Sequence, residues 1–398
     1  LVYYILLFIH FSNLDAFAPF RFYRFVLLFC ILALVLAVVR GKRIIMHDKA
    51  FAYLIVAFLI VGVQSFIGAR DAEGGLVRFQ FLLKYMVFLF LSIQFVTDRK
   101  ELRRMFVVIA VALAMKSFLP FVVSPPEQYA SPSFVWSEGV IRYEGFEFEP
   151  NTFALMQIFF IPVLLFTFYI FRRKLFIKVL VVLAILGSVT VLILSFSRGG
   201  FVTLVFLLVC FLIVERRNKT ILTAGILLII AGIIMAPSTY WRRIGSLFNA
   251  LSNVQQFHAI ASRLGAIRAS IDLGLKHPIF GIGIGNFPSH TPFYMPLKIT
   301  VHNAFLEVFS ELGLIGIFVF FLLFLYNIIV LKRLSRLDDD EASQLGRILL
   351  VLYLSVFVNG LFIPIAYEFI TWFVILLPTL SYRAYLSEST GKKKSLLL

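Results

Sequence analysis

Long runs of apolar residues recur along the whole chain, and short polar connections separate them. Runs such as Ala50–Ile67 and Val179–Leu194 approach the roughly 20 residues that a helix needs to cross a bilayer. The pattern predicts about 12 spanning helices, and therefore an all-α polytopic membrane protein with one integral membrane domain over residues 1–398. The predicted spans lie near residues 1–14, 20–39, 50–68, 78–96, 103–122, 152–171, 175–195, 199–214, 220–236, 312–331, 347–366 and 367–386. The first run, Leu1–Phe11, is shorter than a span, so we expect part of that helix to precede Leu1.

Composition supports a membrane protein over a soluble one. The 398 residues are 61% hydrophobic and only 15% charged, whereas soluble domains are nearer half apolar and a quarter charged. The net charge is +16. In a membrane protein, basic residues are typical of cytoplasmic loops, so we expect membrane lipids rather than nucleic acid as partners. Cys30 and Cys210 fall inside apolar runs and are interpreted as packing residues.

The distribution of basic residues predicts the orientation. Alternate connections carry clusters of lysine and arginine, which the positive-inside rule assigns to the cytoplasm, and both termini then lie there too. These clusters lie at residues 40–49, 99–104, 172–178, 216–219, 332–347 and 383–394. Two connections on the opposite side are long, 123–150 and 237–302, so we expect any chemistry to face outward.

The first candidate motif is the polar turn Ser195–Gly200, at the expected outer side. The apolar run that follows, Phe201–Val214, is about 21 Å long as a helix, which is less than the roughly 30 Å hydrocarbon core. Arg198 therefore lies at or inside the membrane boundary. Two interpretations remain open: a functional intramembrane arginine, or an arginine whose side chain snorkels to lipid headgroups.

The second long loop begins with an amphipathic segment over residues 254–275. Its apolar residues recur at helical spacing, and Arg263 and Arg268 project about 140° apart. Two arginines so placed do not grip one phosphate in the same way. An interfacial helix whose arginines meet lipid phosphates is the structural alternative to a binding role.

Two further motifs complete that loop. Alternating glycines, Gly281, Gly283 and Gly285, permit tight turns and close backbone approach. After them, His302 and Asn303 begin a helix with a polar face, which we expect to lie along the outer interface and to bend into the span near Gly313 or Gly316. A neutral histidine there can act as a general base, or can simply mark a helix end.

The first long outer loop closes on Pro150 and Asn151. Proline fixes the entry into the next helix, and we expect Asn151 to cap it. Three carboxylates precede it, Glu144, Glu147 and Glu149, but nothing in the pattern assigns them a role.

In combination and in this order, these motifs resemble the O-antigen ligase and polymerase superfamily. The likeness is most specific between Gly145 and Gly316: the Ser-x-Ser-Arg-Gly turn, an arginine 14 residues before His277-Pro278, the Gly-x-Gly-x-Gly-Asn-Phe stretch, and the His-Asn…Glu-Leu-Gly-x-x-Gly stretch. The resemblance implies a glycosyltransferase of the bacterial inner membrane with a periplasmic active site. It implies transfer of a glycan from undecaprenyl diphosphate to an acceptor hydroxyl, without a metal or other cofactor.

The resemblance also implies residue roles. Arg198 and Arg263, with Arg268, would bind the donor diphosphate, and His302 would deprotonate the acceptor. Asn303, Asn151 and the three glycines would support the site.

Three acceptors remain open. A ligase uses lipid A–core, which we favour, a polymerase uses a second lipid-linked glycan, and a protein O-glycosyltransferase uses serine or threonine. A membrane transporter is the competing class. The sugar, its linkage, the oligomeric state and any chain-length regulator are not specified by these patterns.

Overall fold

The computed structural model is mostly helical, as the apolar runs predict. It describes residues 22–41, 48–67, 69–123, 134–137, 140–143, 150–214, 258–294 and 299–395, with a helical turn at 238–242 and a few single positions between 223 and 245. The helices are α1 (Phe22–Val39), α2 (Lys49–Gln64), α3 (Ala72–Phe95), α4 (Arg99–Val123), α5 (Pro150–Phe159), α6 (Ile161–Ile170), α7 (Leu175–Ser195), α8 (Arg198–Val214), α9 (His258–Lys276), α10 (Phe287–His290), α11 (Ala304–Leu334), α12 (Asp340–Gly360) and α13 (Phe369–Ser395).

Six helical stretches in the described part of the chain are long and apolar enough to cross a membrane. They are Ala72–Phe95, Pro150–Ile170, Leu175–Ser195, Ala304–Leu334, Asp340–Gly360 and Phe369–Leu386. Two shorter apolar helices, α2 and α8, accompany them. The chain is thus a multi-pass membrane protein, while the total of about 12 spans stays a prediction. The predicted segments 1–14 and, for the most part, 220–236 lie outside the described residues.

Several helices begin before their apolar runs because polar side chains cap them. Asp71 accepts a hydrogen bond from the Gly74 amide at the start of α3, and Asp339 accepts one from the Ala342 amide at the start of α12. Helix α12 ends at Gly360, so the prediction that it continues to residue 366 was wrong. Pro364 lies in the non-helical connection that follows, and proline cannot donate the amide hydrogen bond that a helix interior needs.

Helices α11, α12 and α13 form the centre of the bundle. Helix α13 packs against α3, α4, α11 and α12. Its Trp372 is fully buried and lies 5.0 Å from the Phe58 ring of α2, centroid to centroid. Helix α7 packs along α4 and α5, while α8 packs against α12. Helices α8, α11 and α13 therefore all pack against α12.

A short β-hairpin is the exception to the predicted all-α class. Strands β1 (Phe134–Ser137) and β2 (Val140–Tyr143) pair antiparallel, with Phe134 opposite Tyr143. Tyr143 is buried against the Phe153 ring of α5, and its hydroxyl donates to the Ser117 carbonyl at 3.0 Å. The strands are only four residues long, which is too short for an alternating pattern to stand out among the apolar runs. The hairpin lies in the connection that was expected to be the first long outer loop.

Candidate active site

The α7–α8 turn, residues Ser195–Arg198, places Arg198 as the first residue of α8. Phe196 adopts a left-handed conformation with φ of 50°, and only two residues separate α7 from α8. The Ser197 hydroxyl then accepts from the Gly200 amide at 3.1 Å and caps α8. Arg198 is half-buried beside this cap.

A buried arginine from the hairpin supports that turn. Arg142 donates through Nε to the Ser195 carbonyl at 2.7 Å and through Nη2 to Asn151 Oδ1 at 2.8 Å. Asn151 is the second residue of α5 rather than its cap, so the capping prediction was wrong. Its side chain instead holds the guanidinium of Arg142, because that group needs acceptors when it leaves water.

Residues Pro278–Phe287, called the glycine loop below, are docked against the first turns of α11. The Ile282 amide donates to the Ser310 carbonyl at 2.9 Å, and the Gly283 amide donates to the Glu311 carbonyl at 3.0 Å. Gly281 has a φ of +69°, and a Cβ there would lie 2.3 Å from the Glu311 carbonyl carbon. At Gly281, the close approach that the glycine pattern permits is made to protein backbone.

Helix α11 bends where it receives the loop. Gly313 leaves helical geometry with a φ of +68°, and the Leu314 amide donates to the Pro278 carbonyl at 2.7 Å. The bend expected near Gly313 or Gly316 is therefore confirmed at Gly313.

Two polar side chains fix the shape of the glycine loop. Glu311 is buried and accepts from the amides of Gly285 at 2.8 Å and Phe287 at 3.0 Å. Asn286 exchanges hydrogen bonds with the backbone of Asp71, at 2.7 Å from the Asp71 amide and 3.2 Å to its carbonyl. The loop is thus joined to α11 on one side and to the start of α3 on the other.

His302 stands immediately before the cap of α11. Asn303 accepts from the amides of Phe305 at 3.0 Å and Leu306 at 2.9 Å, which is the geometry of a helix cap. Its amide nitrogen donates to the Leu361 carbonyl at 3.1 Å. His302 itself is half-buried at this junction.

The α12 end, residues Asn359–Leu361, connects the Arg198 and His302 segments. On one side, Asn359 donates to the hydroxyl of Thr203, which lies five residues after Arg198, about 7.5 Å along α8. On the other side, the Leu361 carbonyl accepts from Asn303. A Cβ on Gly360 would lie 3.3 Å from the Phe305 ring, so α11 and α12 come close here. Three consecutive positions therefore contact both the helix that carries Arg198 and the cap that follows His302.

Arg263 and Arg268 lie on α9, the helix that the amphipathic pattern predicted. Both side chains are exposed. The buried face of α9 consists of small residues with Leu273, and it packs on the glycine loop. The larger apolar residues Leu264, Ile271 and Leu275 point outward. This arrangement leaves open both a diphosphate-binding role and an interfacial helix.

Lys276 and Asp272 at the end of α9 form an exposed ion pair with nitrogen and oxygen 2.7 Å apart. The hydrogen bond from Lys276, together with one from Tyr294, lowers the pKa of Asp272 below its ordinary value.

Sequence reasoning missed a partly buried charge cluster beside this site. Arg78 on α3 lies 3.3 Å from Glu368 and 3.8 Å from Glu307, measured between side-chain nitrogen and oxygen. Glu311 and the Tyr367 ring are also near. The rule that an arginine within an apolar segment suggests function was applied to Arg198, and it would have identified Arg78 as well.

Within the described parts of the chain, no group of three or more histidine, cysteine, aspartate or glutamate side chains is placed to hold a metal ion.

Comparison with known proteins agrees with the motifs. Residues 183–321 match the family model described as O-antigen ligase. The match runs from α7 into α11 and contains Arg198, Arg263, the glycine loop and His302. It confirms the resemblance to the O-antigen ligase superfamily. No curated protein matches the chain at a significant level.

Proposed function

We propose that the chain is a glycosyltransferase of the O-antigen ligase type. It transfers a glycan from undecaprenyl diphosphate to a hydroxyl of lipid A–core, at the periplasmic face of the bacterial inner membrane. The observation that carries this proposal is the α12 end, which holds the Arg198 helix through Thr203 and the His302 segment through Asn303. The proposed reaction releases a diphosphate and removes a proton, so it needs a cation and a base. Arg198 is the candidate cation and His302 the candidate base, and both lie in segments that contact the α12 end.

In the proposed reaction the acceptor oxygen attacks the anomeric carbon of the donor sugar. The bond from that carbon to the diphosphate oxygen breaks, and undecaprenyl diphosphate leaves with the bonding electrons. His302 takes the acceptor proton. Arg198 stabilises the negative charge that grows on the leaving group, because charge-assisted hydrogen bonds to phosphate are strong.

Arg263 and Arg268 approach the donor from α9. Their exposure allows them to contact a diphosphate held at the membrane boundary, and the outward apolar residues of α9 would lie among lipids. The supporting residues act by position: Asn303 caps α11, Asn151 holds Arg142, and Gly281, Gly283 and Gly285 let the glycine loop dock.

A reconstituted transfer assay tests the proposal. The purified protein, in liposomes, receives an undecaprenyl-diphosphate-linked oligosaccharide with and without lipid A–core, and the products are separated on a gel. We expect a shifted lipid A–core band only when both substrates are present. A ladder of longer polyprenyl-linked glycans without lipid A–core would show a polymerase instead, and no glycosidic product with either acceptor would contradict the proposal.

A further inference from the structure

A groove of about 170 Å³ is lined by residues of α2, α3 and α13. The α3 wall consists of Met86, Leu89, Phe90 and Ile93, which recur at the spacing of one helix face. Asp71, at the start of α3, contacts the glycine loop. Met86 follows it by 15 residues, which is about 22 Å along a helix. This groove therefore lies toward the end of α3 that is remote from the glycine loop.

Most of the groove lining is apolar. Helix α2 contributes Phe51, Ile55 and Val56, and α13 contributes Leu380. Val56 is 51% exposed and Phe90 is 38% exposed, so the groove opens on the outer surface of the bundle. Helix α3 is long and apolar enough to span a membrane, and the surface beside it then meets hydrocarbon rather than water. An acyl chain is the ligand that such walls suit.

Arg383 brings a cation to this groove. The residue is 9% exposed and lies in Phe369–Leu386, a stretch that is itself long and apolar enough to span. Within the described residues, its side chain makes one hydrogen bond, from Nη1 to the Ile93 carbonyl. A guanidinium has five N–H donors, and none of its nitrogens is among the buried atoms that lack a hydrogen bond. Donors of Arg383 therefore keep accessible surface, and an anionic oxygen is their complement.

Asp48 brings an anion to the same groove. One of its carboxylate oxygens accepts from the Phe51 amide at 3.0 Å and caps α2, and the other accepts from the Tyr326 hydroxyl of α11. These two bonds fix the carboxylate, and the residue is half-buried. The charged atoms of Asp48 and Arg383 lie more than 4.0 Å apart, so the two residues do not form an ion pair with each other. The groove thus offers a separate cation and anion to one ligand.

These two charges discriminate between lipid headgroups. A phosphate accepts hydrogen bonds from Arg383, and a primary ammonium donates them to Asp48. A purely anionic headgroup satisfies Arg383 but is repelled by Asp48. We propose that the groove binds one glycerophospholipid with a zwitterionic phosphate–ammonium headgroup, whose acyl chain lies against the apolar residues of α2 and α3. This inference is independent of the proposed function, because it uses no residue of the candidate active site.

Lipid titration of the wild-type protein tests the proposal without any variant. The full chain in detergent is titrated with phosphatidylethanolamine and, separately, with phosphatidylglycerol of the same acyl chains, and bound lipid is counted by native mass spectrometry. We expect one site with a Kd roughly tenfold lower for phosphatidylethanolamine, as for one hydrogen bond between charged groups. Equal affinity for the two lipids, or tighter binding of phosphatidylglycerol, would overturn the proposal.

Two charge variants assign the headgroup contacts. Arg383→Met should weaken both lipids roughly tenfold, since both carry a phosphate, while Arg104→Met, at a half-exposed arginine outside the groove, should not. Asp48→Asn keeps a capping oxygen for α2 and should abolish the preference for phosphatidylethanolamine. Asp71→Asn makes the same change in the cap of α3 and should preserve that preference. An unchanged preference in Asp48→Asn, or unchanged affinity in Arg383→Met, would contradict the assignment.

A third pair of variants tests whether the groove itself holds the lipid. Val56→Trp places an indole in the groove, from a position that is 51% exposed. Val63→Trp is the matched control, because Val63 is 55% exposed and lies two turns further along the same face of α2, outside the groove lining. We expect Val56→Trp to weaken both lipids by tenfold or more and Val63→Trp to bind them like wild type. Equal binding by the two variants would overturn the site.

Discussion

The α7–α8 turn and the glycine loop are both irregular backbone packed beside helix ends, yet opposite charges hold them. The turn exposes a carbonyl at the end of α7, and the cation Arg142 donates to it. The loop exposes two amides, and the anion Glu311 accepts from both. The sign of the buried charge follows from which half of the peptide group the backbone leaves unpaired.

Glu311 and Arg142 also differ in the groups whose hydrogen bonds they satisfy. Glu311 satisfies the amide of Gly285, which is partly buried, and that of Phe287, which is buried, whereas Arg142 satisfies one backbone carbonyl and one side-chain amide oxygen. The glycines differ as well. Gly281 meets the Glu311 backbone across the loop, while Gly199, the second residue of α8, has open space around it.

The largest effect is expected for the anion. Glu311→Ala should lower the free energy of unfolding by about 2–6 kcal/mol, because each orphaned buried amide costs about 1–3 kcal/mol. Denaturant or thermal unfolding in detergent micelles measures it. The control is Glu368→Ala, which removes a partly exposed carboxylate from the same cluster, 3.3 Å from Arg78, and should cost about 1 kcal/mol or less. Equal losses in the two variants would refute the special role of Glu311.

The glycine pair sharpens the contrast next. Gly281→Ala should destabilise by about 2–5 kcal/mol, since it combines left-handed strain with a clash against the Glu311 backbone. Gly199→Ala is helical and meets nothing within 4 Å, so it should change stability by no more than about 1 kcal/mol. The same unfolding experiment compares them. A Gly281→Ala protein as stable as Gly199→Ala would mean that the loop is not docked as described.

The cation should give a smaller change in stability. Arg142→Met removes the donor to the Ser195 carbonyl, and we expect a loss of about 1–3 kcal/mol together with slower transfer, because the turn positions Arg198. Arg104→Met is the reference: its guanidinium is half exposed and pairs with Glu101 on the same helix, so a change within about 0.5 kcal/mol is expected. Normal transfer by Arg142→Met would mean that Arg142 does not position Arg198 through the α7–α8 turn.

The motifs that were readable from sequence are those whose spacing is local. The Ser-Arg-Gly turn, the helix over α9, the alternating glycines and the bend of α11 all follow from residues close together in the chain. Their positions in the structure agree with the patterns because caps, positive φ angles and helical periodicity are properties of short segments.

The supports were not readable because they join distant parts of the chain. Asn286 binds the backbone of Asp71 across 215 positions, and Arg78 reaches Glu368 across 290. The hairpin residue Arg142 meets Ser195 across 53 positions. One sequence offers no periodicity that links such residues. An apolar run likewise defines where a helix can span, but not which polar side chain begins it, as the early start of α12 at Asp340 illustrates.

In the proposed function, the α12 end brings Arg198 and His302 into one reaction site. A double-mutant cycle in the reconstituted transfer assay tests it most directly, with Arg198→Ala, His302→Ala and the double variant compared at equal amounts of folded protein. We predict that each single variant loses about 10²–10³ in kcat and that the double variant is scarcely slower than the worse single, since groups that act in one step are not additive. Full activity in either single variant, or losses that multiply in the double variant, would mean that Arg198 and His302 do not act together in one reaction site.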